Sequence, residues 1–335
     1  MKQLTAYCPN ALIPSLTEEH LEQFDRVNLA FVVLKEGKLS FEKLPNISEV
    51  PRLRKAKPDL RILMSVGGAG AGGFSNMAMT AEGREDFARQ CVETIEHYGL
   101  DGMDLDWEFP GSDYGMDHSP LDKPNFTALL KTLREHFDRY ERPLDLTIAA
   151  GAGQWFMDQT EIDKYHVYLD QIMLMTYDLR GFGQTTTGHH TALYTRPDDV
   201  IKLSADSAVK DWLAVGVPAG KIAIGSGFYS RVWYDVKPEN NGLLQEGRGG
   251  DFGENYNVLR DQYVDKQGFT RYWDDTAKVP WLFDGETFIT YDDPESVQAK
   301  CDYVNEHGLA GIFFWRYLDD PNNELIPIMR EGMDQ

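Results

Sequence analysis

The chain has 335 residues, 42% of them hydrophobic and 12% aromatic, which is enough apolar material to bury a large core. No apolar run reaches the ~18 residues that a membrane-spanning helix needs. Its 54 acidic and 33 basic side chains leave a net charge of −21, which argues against nucleic acid or an anionic membrane as partners and leaves neutral or cationic ligands unrepelled.

The first residues, Leu4-Thr5-Ala6-Tyr7, already read as a strand, with no basic segment followed by an apolar one before them. The expected compartment is therefore the cytoplasm, or the exterior if a leader has been removed. Cys8, Cys91 and Cys301 are isolated; an odd, sparse set without metal-type spacing predicts no disulfide framework and suits a reducing compartment. Strands are predicted at 3–8, 26–34, 60–66, 100–108, 144–150, 170–177, 221–228 and 309–316. Amphipathic helical stretches fall at 17–24, 85–98, 125–140, 197–215 and 294–307. Strands joined by helical crossovers pair in parallel, and eight of them fit a closed (β/α)8 barrel of ~250 residues. About 80 residues are then left over, most of them between strands seven and eight. This predicts a discontinuous barrel of 1–231 and 289–335 with an insertion at 232–288.

Strand one ends at Tyr7, which suits either the barrel top or ordinary core packing. Strand three runs into Ser65-Val66-Gly67-Gly68-Ala69-Gly70-Ala71-Gly72-Gly73, whose Gly68, Gly70 and Gly73 spell a dinucleotide-binding Gly-x-Gly-x-x-Gly. The context is wrong for that reading. The motif belongs to a first βα unit that opens directly into a helix, with an acid ~20 residues on, whereas here residues 74–80 intervene.

Strand four holds the densest chemistry, Asp101-Gly102-Met103-Asp104-Leu105-Asp106-Trp107-Glu108, closed by Phe109-Pro110-Gly111. Side chains two apart on a strand share a face, so Asp104, Asp106 and Glu108 point one way and Met103, Leu105 and Trp107 the other. A solvated acidic edge or a loop binding a hard cation would also be acidic. Burial of Leu105 and Trp107 argues against the first, and the absence of a glycine-centred turn against the second. Carboxylates this close cannot all ionise cheaply, so one pKa rises. The result is an acid still protonated near neutrality, as cleavage of an acetal linkage requires. The loop 109–123 follows, and Gln154-Trp155 after strand five suits either the cleft or surface packing. Strand six ends in Met173-Leu174-Met175-Thr176-Tyr177-Asp178, with Met173, Met175 and Tyr177 on one face. Strand eight ends in Trp315, a surface on which a sugar ring could stack or a core filler.

Asp101-Gly102-Met103-Asp104-Leu105-Asp106-Trp107-Glu108 resembles the Asp-Gly-x-Asp-x-Asp-Trp-Glu signature of glycoside hydrolase family 18, the chitinases. Ser65-x-Gly67-Gly68 and Met175-x-Tyr177-Asp178 are similar to two further signatures of that family, and Trp315 to the tryptophan that floors its cleavage subsite. Asn28 and Phe31 resemble barrel-lining positions. Residues 187–190, with Leu193-Tyr194, resemble a barrel-top loop in which His189 is read as structural. Tyr229 and Arg231 lie in a stretch similar to Gly-x-Pro-Phe-Tyr-Gly-Arg, from which the chain departs at Gly227 and Ser230. The aromatic runs at 272–275, 279–282 and 288–293 resemble the small α+β insertion of one subfamily.

The resemblance implies an α/β fold, a TIM barrel with that insertion, and hydrolysis of β-1,4-linked N-acetylglucosamine chains, chitin or chitooligosaccharides. It implies a substrate-assisted route in which Glu108 is the acid, Asp106 holds the 2-acetamido group, Asp104 shares a proton with Asp106, and Tyr177 grips the acetamido oxygen. Trp315, Asp178, Tyr7, Ser65, Met175, Arg231 and Tyr229 would bind substrate. No metal or organic cofactor is required, and a monomer is expected. Another N-acetylglucosamine-containing glycan as substrate, and a non-catalytic sugar-binding barrel, are the alternatives. The presence of Glu108 disfavours the second.

Overall fold

A computed structural model describes residues 2–113 and 116–334; two residues of the 109–123 loop, 114 and 115, lie outside the described residues. Eight parallel strands are laid down in chain order: β1 (Gln3–Pro9), β2 (Arg26–Lys35), β3 (Arg61–Gly67), β4 (Gly102–Asp106), β5 (Asp145–Gly151), β6 (Gln171–Met175), β7 (Ile222–Gly227) and β8 (Gly311–Trp315). Each pairs with the next, and β8 pairs with β1. The sheet therefore closes into the (β/α)8 barrel expected from the alternation of apolar segments.

The crossover helices start and stop on sequence signals. Thr80 accepts the Gly83 amide to begin Ala81–Tyr98, and Gly99, at φ 69°, ends it in the left-handed region. That helix buries Phe87, Ala88, Cys91 and Ile95, which fall on one helical face, against the barrel. The stretch 197–215, predicted as one helix, is helical only over Ala205–Ala214. Ser204 caps the helix there through the Ser207 amide, and the Asp199 carboxylate takes the Ile201 amide upstream. These side-chain bonds compete with a longer helix.

Two strands stop two residues short of their predicted C-terminal ends, and both differences set the backbone at the site. β4 stops at Asp106 rather than 108, where the Asp106 carbonyl is taken by the Gly68 amide at 2.9 Å. Trp107 then stacks on Phe74 at 5.3 Å and meets the edge of Phe126. β6 stops at Met175 rather than 177. The Thr176 hydroxyl bonds both the amide and the carbonyl of Gly225, each at 2.8 Å, turning the chain out of the sheet.

The insertion is a five-stranded antiparallel sheet in the order 248–255, 229–234, 288–290, 279–283, 270–274. A short helical segment at 256–263 is included in it. Its own apolar centre is Trp233, Val236, Leu243, Trp281, Phe283 and Phe288. Phe228 alone separates β7 from its first strand, so the sheet stands at the C-terminal rim of the barrel. Among the described residues no helix is long and apolar enough to cross a membrane, and the three cysteines are buried free thiols.

Candidate active site

At the C-terminal ends of the parallel strands, β4 supplies a row of acids. Asp104 is fully buried. One carboxylate oxygen accepts the hydroxyls of Ser65 at 2.7 Å and Tyr7 at 2.9 Å, and the other that of Thr147 at 2.6 Å. Ser65 and Thr147 are its register partners on the flanking strands β3 and β5, while Tyr7 reaches across the barrel from β1. Burial pushes the Asp104 pKa up and these three donors oppose it.

Asp106 is 4% exposed, and its Oδ1 has no protein partner. Burial, then the Glu108 and Asp104 charges, hold its carboxyl well above the usual range. Glu108, half-buried just beyond the strand, is pushed up to about 7 by burial and by the Asp178 charge, against a hydrogen bond from Asp106. Among the described residues no Lys, Arg or His forms an ion pair with Asp104, Asp106 or Glu108. Nor does any group of three or more His, Cys, Asp or Glu converge as metal ligands would.

Asp178 completes the charged set from the loop after β6. Arg231 donates to it from Nε at 2.7 Å, and its Nη2 lies at the same distance; the His190 ring lies behind. Burial would raise Asp178, but the Arg231 guanidinium that donates to it holds its carboxyl below the usual carboxylate range. Asp178 is thus an anion beside a protonated Glu108. Arg231 is 2% exposed, its guanidinium lying against the rings of Phe182 at 4.1 Å and Phe252 at 3.7 Å. It faces Asp178 rather than the open cleft.

Aromatic side chains line the remainder. Tyr177 lies where a Cβ on residue 225 would come within 2.7 Å of its ring, so glycine is required there. Burial and the surrounding acids keep its phenol neutral and able to donate. Trp315 stacks on Phe31 at 5.5 Å and 20°, and tilts against Tyr7 at 6.1 Å. Met173, Met175, Tyr7, Tyr177, Phe313 and Trp315 form one cluster, which keeps the alternation expected of strand six. Tyr229 is buried between Tyr177, His190 and Phe252.

Hydrogen bonds and charge interactions link Asp104, Asp106, Glu108, Tyr7, Ser65, Tyr177, Asp178, Arg231 and Tyr229 into one group, and Met175 and Trp315 belong to the aromatic cluster that shares Tyr7 and Tyr177 with it. His189 instead bonds Asp274 of the insertion at 2.9 Å. Asp101 sits at the opposite end of β4, paired with Arg54, Arg61 and Arg142. Trp155 is 40% exposed and meets the edge of Phe109. Sequence reasoning missed Thr147, which a polar residue inside Leu146-Thr147-Ile148 signalled, and it missed the exposed Phe182 and Phe252.

The profile of Glycosyl hydrolases family 18 matches residues 4–320. The chain belongs to glycosyl hydrolase family 18. Among its relatives, chitinase A1 of Niallia circulans is 36% identical over 303 residues, covering 84% of this chain and 43% of that protein. Chitotriosidase-1 of Mus musculus is 33% identical over 282 residues, covering 80% of this chain and 60% of that protein. The chain thus spans about half the length of these relatives. A family 18 N-acetylglucosaminidase of Paenibacillus barengoltzii superposes with a TM-score of 0.97 at 45% identity, covering 99% of this chain and all of that one.

Proposed function

We propose that this family 18 barrel is a retaining glycosidase acting on β-1,4-linked N-acetylglucosamine chains, and that the substrate's own 2-acetamido oxygen is the nucleophile. The observation that carries the reading is the row of acids Asp104, Asp106 and Glu108 at the C-terminal end of one barrel strand, with Asp104 held by the Tyr7, Ser65 and Thr147 hydroxyls and Glu108 pushed up to about 7 by burial and the Asp178 charge. Glu108 protonates the glycosidic oxygen while the acetamido oxygen attacks the anomeric carbon. The C–O bond to the leaving sugar breaks, giving an oxazolinium ion. Asp106, with a free acceptor oxygen, holds the acetamido N–H and offsets the developing positive charge. Tyr177 donates to the acetamido oxygen, and Trp315 carries the apolar face of the ring. Glu108, now a carboxylate, takes a proton from the water that opens the ring, so the anomeric configuration is retained.

Glu108→Gln is expected to abolish turnover of a fluorogenic chitobioside while leaving chitooligosaccharide affinity within a few-fold. Equal loss of both in a folded protein would remove Glu108 from this role. Turnover in the wild type falls as pH rises through about 7, where Glu108 loses its proton. A thiazoline analogue of the oxazolinium ion is expected to inhibit strongly, and indifference to it points to a carboxylate nucleophile instead. Release of single sugars is a second reading, favoured by the end-to-end match to a protein described as an N-acetylglucosaminidase. Products of chitohexaose separate the two, monomer alone marking the second. We further propose a monomer whose barrel is interrupted by the insertion expected at 232–288, its bordering strands carrying the break to 229–290.

A further inference from the structure

Asp178, whose charge raises the Glu108 pKa, has a left-handed backbone with φ 56°. A non-glycine residue stays there only when its neighbours over-determine the turn. Two of those neighbours come from His190, on the return of the loop that follows β6. The Asp178 amide donates to His190 Nδ1 at 3.4 Å, and the Leu179 amide donates to the His190 carbonyl at 3.0 Å. The ring is fully buried against Tyr229, and the His190 amide is fixed by the Thr290 hydroxyl at 3.3 Å.

The protonation state follows from this geometry. A ring nitrogen that receives an N–H carries no proton of its own, so the imidazole is neutral with its hydrogen on Nε2. Nε2 is buried without a partner, and Nδ1 stands 3.7 Å from the Asp178 carboxylate, beyond hydrogen-bond reach. Burial favours the neutral ring and Arg231 adds to that, while the Asp178 and Asp292 charges oppose it. Tyr229 is the other titratable group against the ring.

We propose that His190 is a positioning residue of the hydrolytic site: as a neutral imidazole it accepts the Asp178 amide and holds the turn that presents the Asp178 carboxylate to Glu108. The inference rests on Glu108 being the proton donor. Arg231 fixes the carboxylate and His190 fixes the backbone beneath it, so Asp178 is held from two independent sides. Protonation of His190 would replace the acceptor with a second donor facing the Asp178 amide and release the turn.

Full-length His190→Phe keeps a planar ring but removes the acceptor, whereas His190→Asn restores an acceptor on a shorter side chain. Misplacing a group next to the reacting bond costs up to about a hundred-fold. His190→Phe is therefore expected to lower kcat by about ten-fold or more with KM nearly unchanged, and to move the upper limb of the kcat/KM pH profile to lower pH as Asp178 leaves Glu108. His190→Asn is expected to recover most of kcat and the limb. A folded His190→Phe with wild-type kcat and limb overturns the proposal, as does a His190→Asn equally impaired. Nitrogen-15 NMR of histidine-labelled wild-type protein tests the same bond without any variant. Nδ1 should stay unprotonated from pH 5 to 8, and a proton on it in that range also overturns the proposal. Absence of glycosidase turnover in the wild type would instead defeat the functional reading, leaving the NMR result to judge the His190 bond.

Discussion

The two ends of β4 carry acids in opposite circumstances. Before the strand, Asp101 is met by Arg54, Arg61 and Arg142, and its Oδ2 also takes the Ile62 amide at 2.8 Å. Nearby Asp145 is bridged by Arg26 at 3.1 Å and Arg61 at 2.8 Å. At the other end, among the described residues, Asp104, Asp106 and Glu108 meet hydroxyls and one another and form no ion pair. Paired acids on the barrel floor contribute to holding the fold. Unpaired ones at the mouth cost stability, and in the proposed mechanism Glu108 keeps there the proton that a glycosidic oxygen receives.

That contrast is broken most severely at Glu108. Replacing it with Gln is expected to reduce kcat by about 10²–10⁴-fold, read with a chitobioside substrate, without loss of fold. The matching change on the floor, Asp101→Asn, should do the reverse. It leaves up to three arginines under-compensated, and because those are about a third exposed the expected loss is about 2–3 kcal/mol of unfolding free energy. Denaturant melts would measure it, with kcat of the folded fraction unchanged. A fall in kcat with no change in melting would refute the division of labour.

The pH dependence of stability sharpens the same point. Glu108 is near 7 in the folded protein and at its ordinary 4.5 when unfolded. Between those values the folded state keeps a proton that the unfolded state has lost. Its contribution is therefore complete below about pH 4.5 and is lost as pH rises through about 7. The expected cost between pH 5 and 8 is on the order of 2 kcal/mol, and Glu108→Gln should flatten that slope. Smallest of all, Tyr7→Phe removes one of three donors to Asp104 and should cost about 1 kcal/mol, with a modest drop in kcat. A larger loss of kcat than of stability would assign Tyr7 a direct part in handling substrate.

Much of this site was legible in the chain because its logic is local. Alternation on strand four put Asp104 and Asp106 on one face, and Met173, Met175 and Tyr177 hold together as period two requires. Phe109-Pro110-Gly111 marked the stop. The strand limits were less legible, since β4 and β6 end where Gly68 and Thr176 divert their hydrogen bonds to loops. In residues 197–204 the signal was present but overlooked, since Asp199 and Ser204 side chains can each take a backbone amide and delay the helix.

By itself, the sequence determined which acids share a face, that an apolar segment recurs eight times, and that an aromatic residue closes the last strand. These depend on near-neighbour geometry, fixed at 3.3–3.4 Å per residue and two residues per repeat. Tertiary structure alone decided that Asp101 meets arginines from three distant segments while Glu108 meets Asp178, and that Arg231 lies against two phenylalanines. It also set His190 under the Asp178 turn. Those pairings depend on the register in which eight strands close and on loops folding back across the rim, and no periodicity in the chain encodes a partner that far away.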